Sequence, residues 1–565
     1  MNSSDPRCVG PNKTLGIDQA CLSILNNQDL PVSVLTYINQ CQACDGLPFA
    51  NLSPNSNTTL VIPTKYEMHL YYVAEKYQWC HGAYKFQEYG HYGWNLTNQS
   101  CSWFYTIKDP PTPYMPILAA SLVFVALSIF YGVGKFLIPF AMKRLKERRV
   151  NEQDDMQDLQ DSEPFPPALV VSSRSSTRIH SIDTIRGIAI LLMIFVNNGG
   201  GKYVFFNHSP WYGFTIADFV LPWFAWIMGL TLVVSLRTQL RISVSRPRII
   251  MRILRRIFFL ILFGLIINSN DKTTIENLRF PGVLQLLGIT YFICASIEAV
   301  FMKAQRNFQY GRLMFLQDIL DCWPQWLIFI GIGATHTLVT FLLRVPGCPT
   351  GYLGPGGYHL RGKYANCTGG AAGYIDRLLF GSHMYNKTNN PIYGSTLPHD
   401  PEGLMNTLSA VLIVALGVQA GRILLCYYLY LQSKILRWFA WAAVIGIIAI
   451  LLNGKEQEGG VIPVSKNMMT LSFVLATSSF AFFFYIIIFY IVDHKRIWNG
   501  APFVYAGMNP IFLYIGHYLT KGHFPWAWKI LNPTHASLLY MNLWTTVLWG
   551  FIAYGLYRKN VIITI

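Results

Sequence analysis

The sequence predicts a polytopic α-helical membrane protein of about eleven spans, with a small disulfide-containing N-terminal domain expected to be β-rich. Three observations predict it. Only 13% of the 565 residues are charged against 52% hydrophobic, roughly half the charge density of soluble domains. In water such a chain would expose large apolar patches. Apolar runs close to the ~20 residues that cross a bilayer recur along the chain, and six of 11 cysteines precede the first run.

The expected spans lie near 117–142, 184–201, 213–236, 250–268, 281–302, 324–344, 403–424, 435–453, 468–492, 500–519 and 540–557. The second is short and ends in Asn197-Asn198-Gly199-Gly200-Gly201; the tenth holds Asn509, Pro510 and His517. This divides the chain into a Cys-rich glycosylated domain (1–116), a first transmembrane helix (117–142), a flexible cytosolic linker (143–181) and a ten-helix bundle (182–565) with a cap loop at 345–402. The linker is acidic, then rich in Ser and Arg, a composition that buries little apolar surface.

Charge sets the orientation. Basic clusters follow the first span (Lys143, Arg144, Lys146, Arg148, Arg149) and separate spans three and four. Placing both in the cytosol puts 24 of the 44 Lys and Arg in short cytosolic segments, as the positive-inside rule requires. The formal net charge of +16 is then a topology marker, and nucleic acid is not an expected partner. The first 116 residues fall on the luminal side. The chain starts Met1-Asn2-Ser3-Ser4 with no apolar run, so a signal peptide is expected to be missing from this sequence.

Cysteines and sequons test that orientation. Cys8, Cys21, Cys41, Cys44, Cys80 and Cys101 precede the first span, and Cys348 and Cys367 share the cap loop. Even numbers on an oxidising face suit disulfides; six cysteines allow 15 pairings, among which spacing does not choose. Cys41-x-x-Cys44 has no second CxxC or His pair nearby to complete a zinc site, and no metal is expected. Sequons at Asn2, Asn12, Asn51, Asn57, Asn95, Asn98, Asn366 and Asn386 all lie on the same face. Asn207-His208-Ser209 fits formally, but the following Pro210 and the nearby bilayer argue against its use.

Ionisable groups inside spans are costly and mark candidate sites. Asp183 and Arg186 share a helical face, as a structural ion pair, an anchor for an anionic cofactor or a brace for a neighbouring helix. Asp218, at the luminal start of span three, needs a partner when buried, and a His on the same rim is the obvious one; the alternative is hydrogen bonding to backbone or water. His208 lies in the short luminal link Lys202–Trp211. It is either a plain loop residue, a base for an attacking amine or hydroxyl, or a transient acyl acceptor. His336 suits a helix–helix hydrogen bond, and His517 suits a cavity wall. The Gly- and Pro-rich run 346–357 cannot form helix or regular strand. Walker A, HExxH and GxSxG sequences are absent, which removes support for NTPases, zincins and common serine hydrolases.

These residues carry a family resemblance. Asp183-Thr184-Ile185-Arg186-Gly187, Phe195 through Tyr203, Ala217-Asp218-Phe219-Val220-Leu221-Pro222-Trp223-Phe224, Pro281-Gly282-Val283-Leu284-Gln285 and Trp323-Pro324-Gln325-Trp326-Leu327 resemble the lysosomal heparan-α-glucosaminide N-acetyltransferase family. So do Tyr352 through Gly357, Gly369 through Arg377, Asp400-Pro401-Glu402-Gly403, Gly417 through Gly421, Pro463 through Asn467, Gly507-Met508-Asn509 and Gly516-His517. The likeness covers about 180–559. It implies acetyl transfer from cytosolic acetyl-CoA to the terminal non-reducing glucosamine of heparan sulfate in the lysosome. His208 falls at the family's active-site histidine, with Asn197 and Asp218 in motifs on either side. Both an acetyl-histidine route and direct transfer stay open. Asn198 stands where an aromatic residue is expected.

Arg186, Arg248, Arg252, Arg255 and Arg256, with Asn509 and His517, are the candidates for holding acetyl-CoA; for the arginines of 248–256 the alternative is positive-inside anchoring. The expected partners are acetyl-CoA, the heparan sulfate glucosamine, the lipid bilayer and a second copy of the chain in a homodimer. Two other functions compete: acyl transfer to another sugar or glycolipid, and a transporter or receptor. Transporters usually carry internal repeats, and none is convincing here.

Overall fold

The computed structural model describes residues 7–8, 14–74, 77–97, 101–154, 178–269, 274–302, 316–385, 392–427, 430–454 and 460–563. The sequons at Asn2, Asn12, Asn98 and Asn386, and residues 155–177 of the expected linker, lie outside these.

The N-terminal region is β-rich, as expected. Eight strands, β1 (Gln19–Asn26), β2 (Val32–Ile38), β3 (Leu47–Leu52), β4 (Ser56–Pro63), β5 (Met68–Ala74), β6 (Tyr77–Tyr84), β7 (His91–Leu96) and β8 (Tyr105–Lys108), form two four-stranded sheets. Their orders are β4-β1-β7-β8 and β3-β2-β5-β6, antiparallel except for the β1–β7 pair. Side chains alternate across a strand with period two. Ala20, Leu22 and Ile24 from β1 and Tyr92, Trp94 and Leu96 from β7 therefore share one core with Val32, Val34, Leu70 and Tyr72 of the other sheet. Disulfides join Cys8 to Cys21, Cys80 to Cys101 and Cys41 to Cys44. Asn51 and Asn57 are exposed and Asn95 is half-buried.

Helix α1 (Met115–Asp154) belongs to a separate compact unit, Thr112–Ile179. Its apolar part, Met115–Pro139, is long enough to span a bilayer, and the helix runs on as far as Asp154. Residues 143–154 of the expected linker are helical.

The sandwich and the remaining helices form the other compact unit. These helices are α2 (His180–Asn197), α3 (Val220–Arg241), α4 (Arg246–Asn268), α5 (Val283–Phe301), the short α6 (Gln317–Leu320), α7 (Trp323–Leu342), α8 (Gly370–Phe380), α9 (Leu404–Cys426), α10 (Leu431–Asn453), α11 (Leu471–Phe489), α12 (Phe503–Met508), α13 (Pro510–Leu519) and α14 (His535–Arg558). The protein is a multi-pass membrane protein. Among the described residues nine helices are long and apolar enough to cross, two fewer than the eleven expected.

Both differences have a physical cause. Helix α4 is 23 residues long, but five arginines fall within 246–256, so no stretch of it of span length is predominantly apolar. The expected span 500–519 is broken into α12 and α13 at Asn509, because Pro510 has no N–H to continue the ladder. At the crossing of α2 and α12, a Cβ on Gly187 would overlap the Phe503 carbonyl, and one on Gly507 that of Asp183. The broken segment can press against α2 only because both residues are glycine.

The cap is pinned by the Cys348–Cys367 disulfide and carries α8, and Asn366 on it is exposed. It meets the sandwich directly. Tyr393 Oη donates to the Gln40 carbonyl at 2.8 Å, and Arg361 lies 3.4 Å from Asp45. A second contact places His535 Nε2 3.2 Å from Asp18 and 3.4 Å from Glu88.

Candidate active site

The segment carrying His208 is shaped by its glycines. Helix α2 stops at Asn197, and Gly199, Gly200 and Gly201 all take positive φ (110°, 53° and 67°), which residues with a Cβ rarely adopt. The chain turns out of the bundle and returns at Thr215, whose backbone N–H and that of Ser209 both donate to Asp218 Oδ2, at 3.0 and 3.1 Å. These bonds fix the carboxylate, which is fully buried, and aim its other oxygen at the loop. Asp218 Oδ1 lies 2.7 Å from His208 Nδ1.

Lys466 arrives from a distant segment. Gly213 N–H donates to the Val464 carbonyl at 2.8 Å and Asn467 Nδ2 to the Pro210 carbonyl at 3.2 Å. Between these ties Lys466 Nζ sits 3.4 Å from Asp218 Oδ1 and 3.3 Å from His208 Nε2. Nζ is also 2.8 Å from Nδ1. A carboxylate only accepts, so a bond to Asp218 places the proton on Nδ1, and in the neutral ring this leaves the lone pair on Nε2. About half of the His208 side chain remains exposed.

His208, Lys466 and Asn197 line a cavity of about 600 Å³. Along α3 its wall is Val220, Phe224, Ile227, Thr231 and Ser235, one helical face at i, i+3 and i+4 steps. At 1.5 Å per residue that stripe runs about 22 Å, most of the hydrocarbon thickness. Met508, Pro510 and Ile511 at the broken span also line it; irregular backbone at membrane depth is tolerated where it borders a cavity.

Of the expected site residues, Asn197, His208, Arg186 and Arg256 line this cavity, and Asp218 stands directly behind His208. Arg186 is 3.3 Å from Asp183 and donates to the Gly507 carbonyl at 3.3 Å. Arg256 lies over Tyr291 at 4.5 Å, and its buried Nε has no hydrogen-bond partner among the described residues. That orphaned donor fits an anionic ligand.

The other expected ligand contacts fall elsewhere. Arg248, Arg252 and Arg255 are exposed and off the cavity, Arg252 donating to Gln239 at 3.1 Å. Asn509 donates to the Val561 carbonyl at 3.0 Å and accepts from Ile563 N–H at 2.8 Å, so it ties down the C-terminal segment. His517 is buried behind the wall rather than in it: Nδ1 faces the Leu513 carbonyl, and Nε2 accepts from Asn197 Nδ2 at 3.2 Å. It braces Asn197, whose Nδ2 also lies 3.3 Å from Tyr518 Oη. His336 makes no helix–helix bond through Nε2, which is buried and unpartnered among the described residues.

Sequence reasoning missed a second polar cluster on the wall. Arg279 donates through Nε and Nη2 to both Asp400 oxygens (2.8 and 2.5 Å) and through Nη2 to Glu402 (2.5 Å). Tyr385 N–H and Glu402 N–H, each at 3.0 Å, complete the shell of Asp400. Burial opposes the charge on Arg279, but the Glu402 and Asp400 carboxylates hold its guanidinium above its usual range. Burial likewise raises Asp400, and Arg279 more than reverses this, holding the carboxyl below its usual range. These residues lie in loops, where charge is ordinary; the motif Asp400-Pro401-Glu402-Gly403 was the available signal for the two acids, as Pro463 through Asn467 was for Lys466. Also missed was a buried pair inside the bundle, Arg422 with Glu298.

The chain is similar to known proteins. Residues 178–338 match the family model for the heparan-α-glucosaminide N-acetyltransferase catalytic region. The chain is 39% identical over 515 residues to human heparan-α-glucosaminide N-acetyltransferase, covering 86% of this chain and 78% of the human one. It is 36% identical over 587 residues to the mouse protein of that name, covering 97% of this chain and 89% of the mouse one. The chain therefore belongs to the heparan-α-glucosaminide N-acetyltransferase family and is an acyltransferase.

Proposed function

We propose that this acyltransferase carries acetyl from acetyl-CoA, entering from the cytosol, to the terminal non-reducing glucosamine amine of heparan sulfate in the lysosomal lumen. The observation that carries the reading is one cavity, walled by one face of α3 over about 22 Å, that holds Arg186 and Arg256 as well as His208 and Lys466. The two ends of such a cavity serve reactants that never share a compartment. A second copy of the chain, as a homodimer, remains part of this proposal.

The arginines hold the CoA phosphates by charge-assisted bonds, foremost Arg256, whose Nε has no partner among the described residues. At the other end the amine nitrogen attacks the thioester carbonyl. The C–N bond forms, the C–S bond breaks, and His208 Nε2 accepts the proton that nitrogen loses and returns it to the departing CoA thiolate. Asp218 holds the Nδ1–H tautomer that leaves Nε2 unprotonated. Lys466, beside the ring, supplies positive charge where the oxyanion develops. An acetyl-histidine route would use the same Nε2 as nucleophile, and the geometry serves either.

The test is acetyl transfer by purified protein from labelled acetyl-CoA to heparan-derived glucosaminides beside other amino sugars and glycolipids. Preferential labelling of the glucosaminide supports the reading. Labelling only of another acceptor, or solute uptake without covalent change, refutes it.

A further inference from the structure

We propose that the Glu402 carboxylate is the acceptor subsite, binding the substrate sugar's amine in its ammonium form and releasing the neutral amide product. This rests on the acetyltransferase reading above and adds the group that selects the acceptor.

Four cations line the cavity, Arg186, Arg256, Arg279 and Lys466, and Glu402 is the one acidic side chain among the described lining residues. Its partner Arg279 is already neutralised. Asp400 is fully buried, engages Arg279 through both oxygens, and is held by two backbone N–H groups. Two carboxylates therefore share one guanidinium, and the surplus negative charge belongs to Glu402, whose side chain keeps 12% of its surface open. Arg279 and Glu402 line the same cavity as His208 and Lys466. A cavity otherwise lined by cations repels an ammonium; a carboxylate in its wall gives that ammonium one place to bind.

The reaction makes this charge useful in both directions. In an acidic lumen the amine arrives as R–NH3+ and pairs with Glu402. It gives one proton to that carboxylate before attack. As the C–N bond forms and the C–S bond breaks, the second proton passes to His208 and on to the CoA thiolate. The product is an uncharged amide, so its attraction to the wall is gone, and Glu402 returns its proton to water. Substrate is held by a charged contact the product cannot make, which separates them as a difference of affinities.

The experiment compares wild type with Glu402→Gln in the full chain, at saturating acetyl-CoA. It reads KM for a glucosaminide-terminated oligosaccharide and the inhibition constant of its N-acetylated product. A charge-assisted bond is worth roughly 1.5–3 kcal/mol, about 10- to 100-fold. The variant is expected to raise acceptor KM by that factor, leave product inhibition and the KM for acetyl-CoA unchanged, and so erase the preference for substrate over product. Glu402→Asp, which keeps the charge, is expected to retain part of the preference, and it carries the same comparison if the Gln variant does not fold. An unchanged preference in Glu402→Gln, or its loss in Glu402→Asp with acetyl-CoA binding intact, overturns the proposal while the function stands. Wild type that acetylates no glucosaminide overturns both.

Discussion

Asp218 and His208 are joined by a 2.7 Å contact between Oδ1 and Nδ1, and the other carboxylate oxygen is spoken for by the backbone of Ser209 and Thr215. The acid is thus a fixed reference that sets both the ring's position and its tautomer. Asp218→Asn presents an amide in the same place and favours the wrong tautomer. In the serine-protease triad the equivalent change costs about 10⁴ in kcat. Here kcat is expected to fall by about 10³-fold or more with little change in acetyl-CoA affinity, measured by steady-state kinetics beside equilibrium binding.

Lys466 touches the same pair from the opposite side of the loop. Lys466→Met keeps the length and removes the charge. Loss of one oxyanion donor costs about 10²–10³ in kcat, and a fall of that size, with acceptor KM nearly constant, is expected. A pure rise in KM would assign Lys466 to binding instead.

On the same cavity, Arg256→Gln removes the guanidinium whose Nε has no partner among the described residues. The expected result is a KM for acetyl-CoA raised about tenfold or more, with acceptor KM unchanged. The exposed Arg248 and Arg255 serve as controls, and their Gln variants are expected to bind acetyl-CoA as wild type does.

The cap titrates. Burial pushes the Asp376 carboxyl up to about 7, against the Leu404 N–H bond that would lower it, and its Oδ2 has no partner among the described residues. The folded-state value lies above the unfolded one near 4. Its stabilising contribution is therefore complete below about pH 4 and disappears as pH rises through about 7. The apparent melting temperature is expected to fall between those limits, and Asp376→Asn, which mimics the neutral acid, is expected to flatten the dependence. Thermal unfolding at stepped pH reads this directly.

Within the bundle, Glu298 and Arg422 are both almost fully buried as a pair. Removing one partner strands a charge in a low-dielectric interior, at a cost of about 3–5 kcal/mol, whereas replacing both with apolar residues is close to neutral. Glu298→Leu is expected to lower stability sharply, and Glu298→Leu with Arg422→Met to recover most of it, judged by denaturation in detergent.

The sequence carried the membrane class, the β-rich N-terminal domain and the cysteines that pair, because composition and period are local properties. Two of the eleven expected spans, at α4 and at Asn509-Pro510, are not long unbroken apolar helices among the described residues, because hydrophobicity averaged over a window hides a run of arginines or a missing N–H. Asn197, His208 and Asp218 were legible because polar groups near a span end are conspicuous. Lys466, Arg279 and Glu402 were not, since each reaches the cavity from a loop through folding contacts more than a hundred residues away. Asn509 and His517 illustrate the converse: a polar residue in a span can be spent on the chain itself.

The role proposed for His208 Nε2 is to handle the proton or the acetyl group in transfer to a glucosaminide. It is tested most directly by single-turnover transfer of labelled acetyl from acetyl-CoA bound to wild type and to His208→Ala. The variant is expected to bind acetyl-CoA normally and to fold, yet to lose at least about 10³-fold in the transfer rate. Transfer by His208→Ala at the wild-type rate would contradict it.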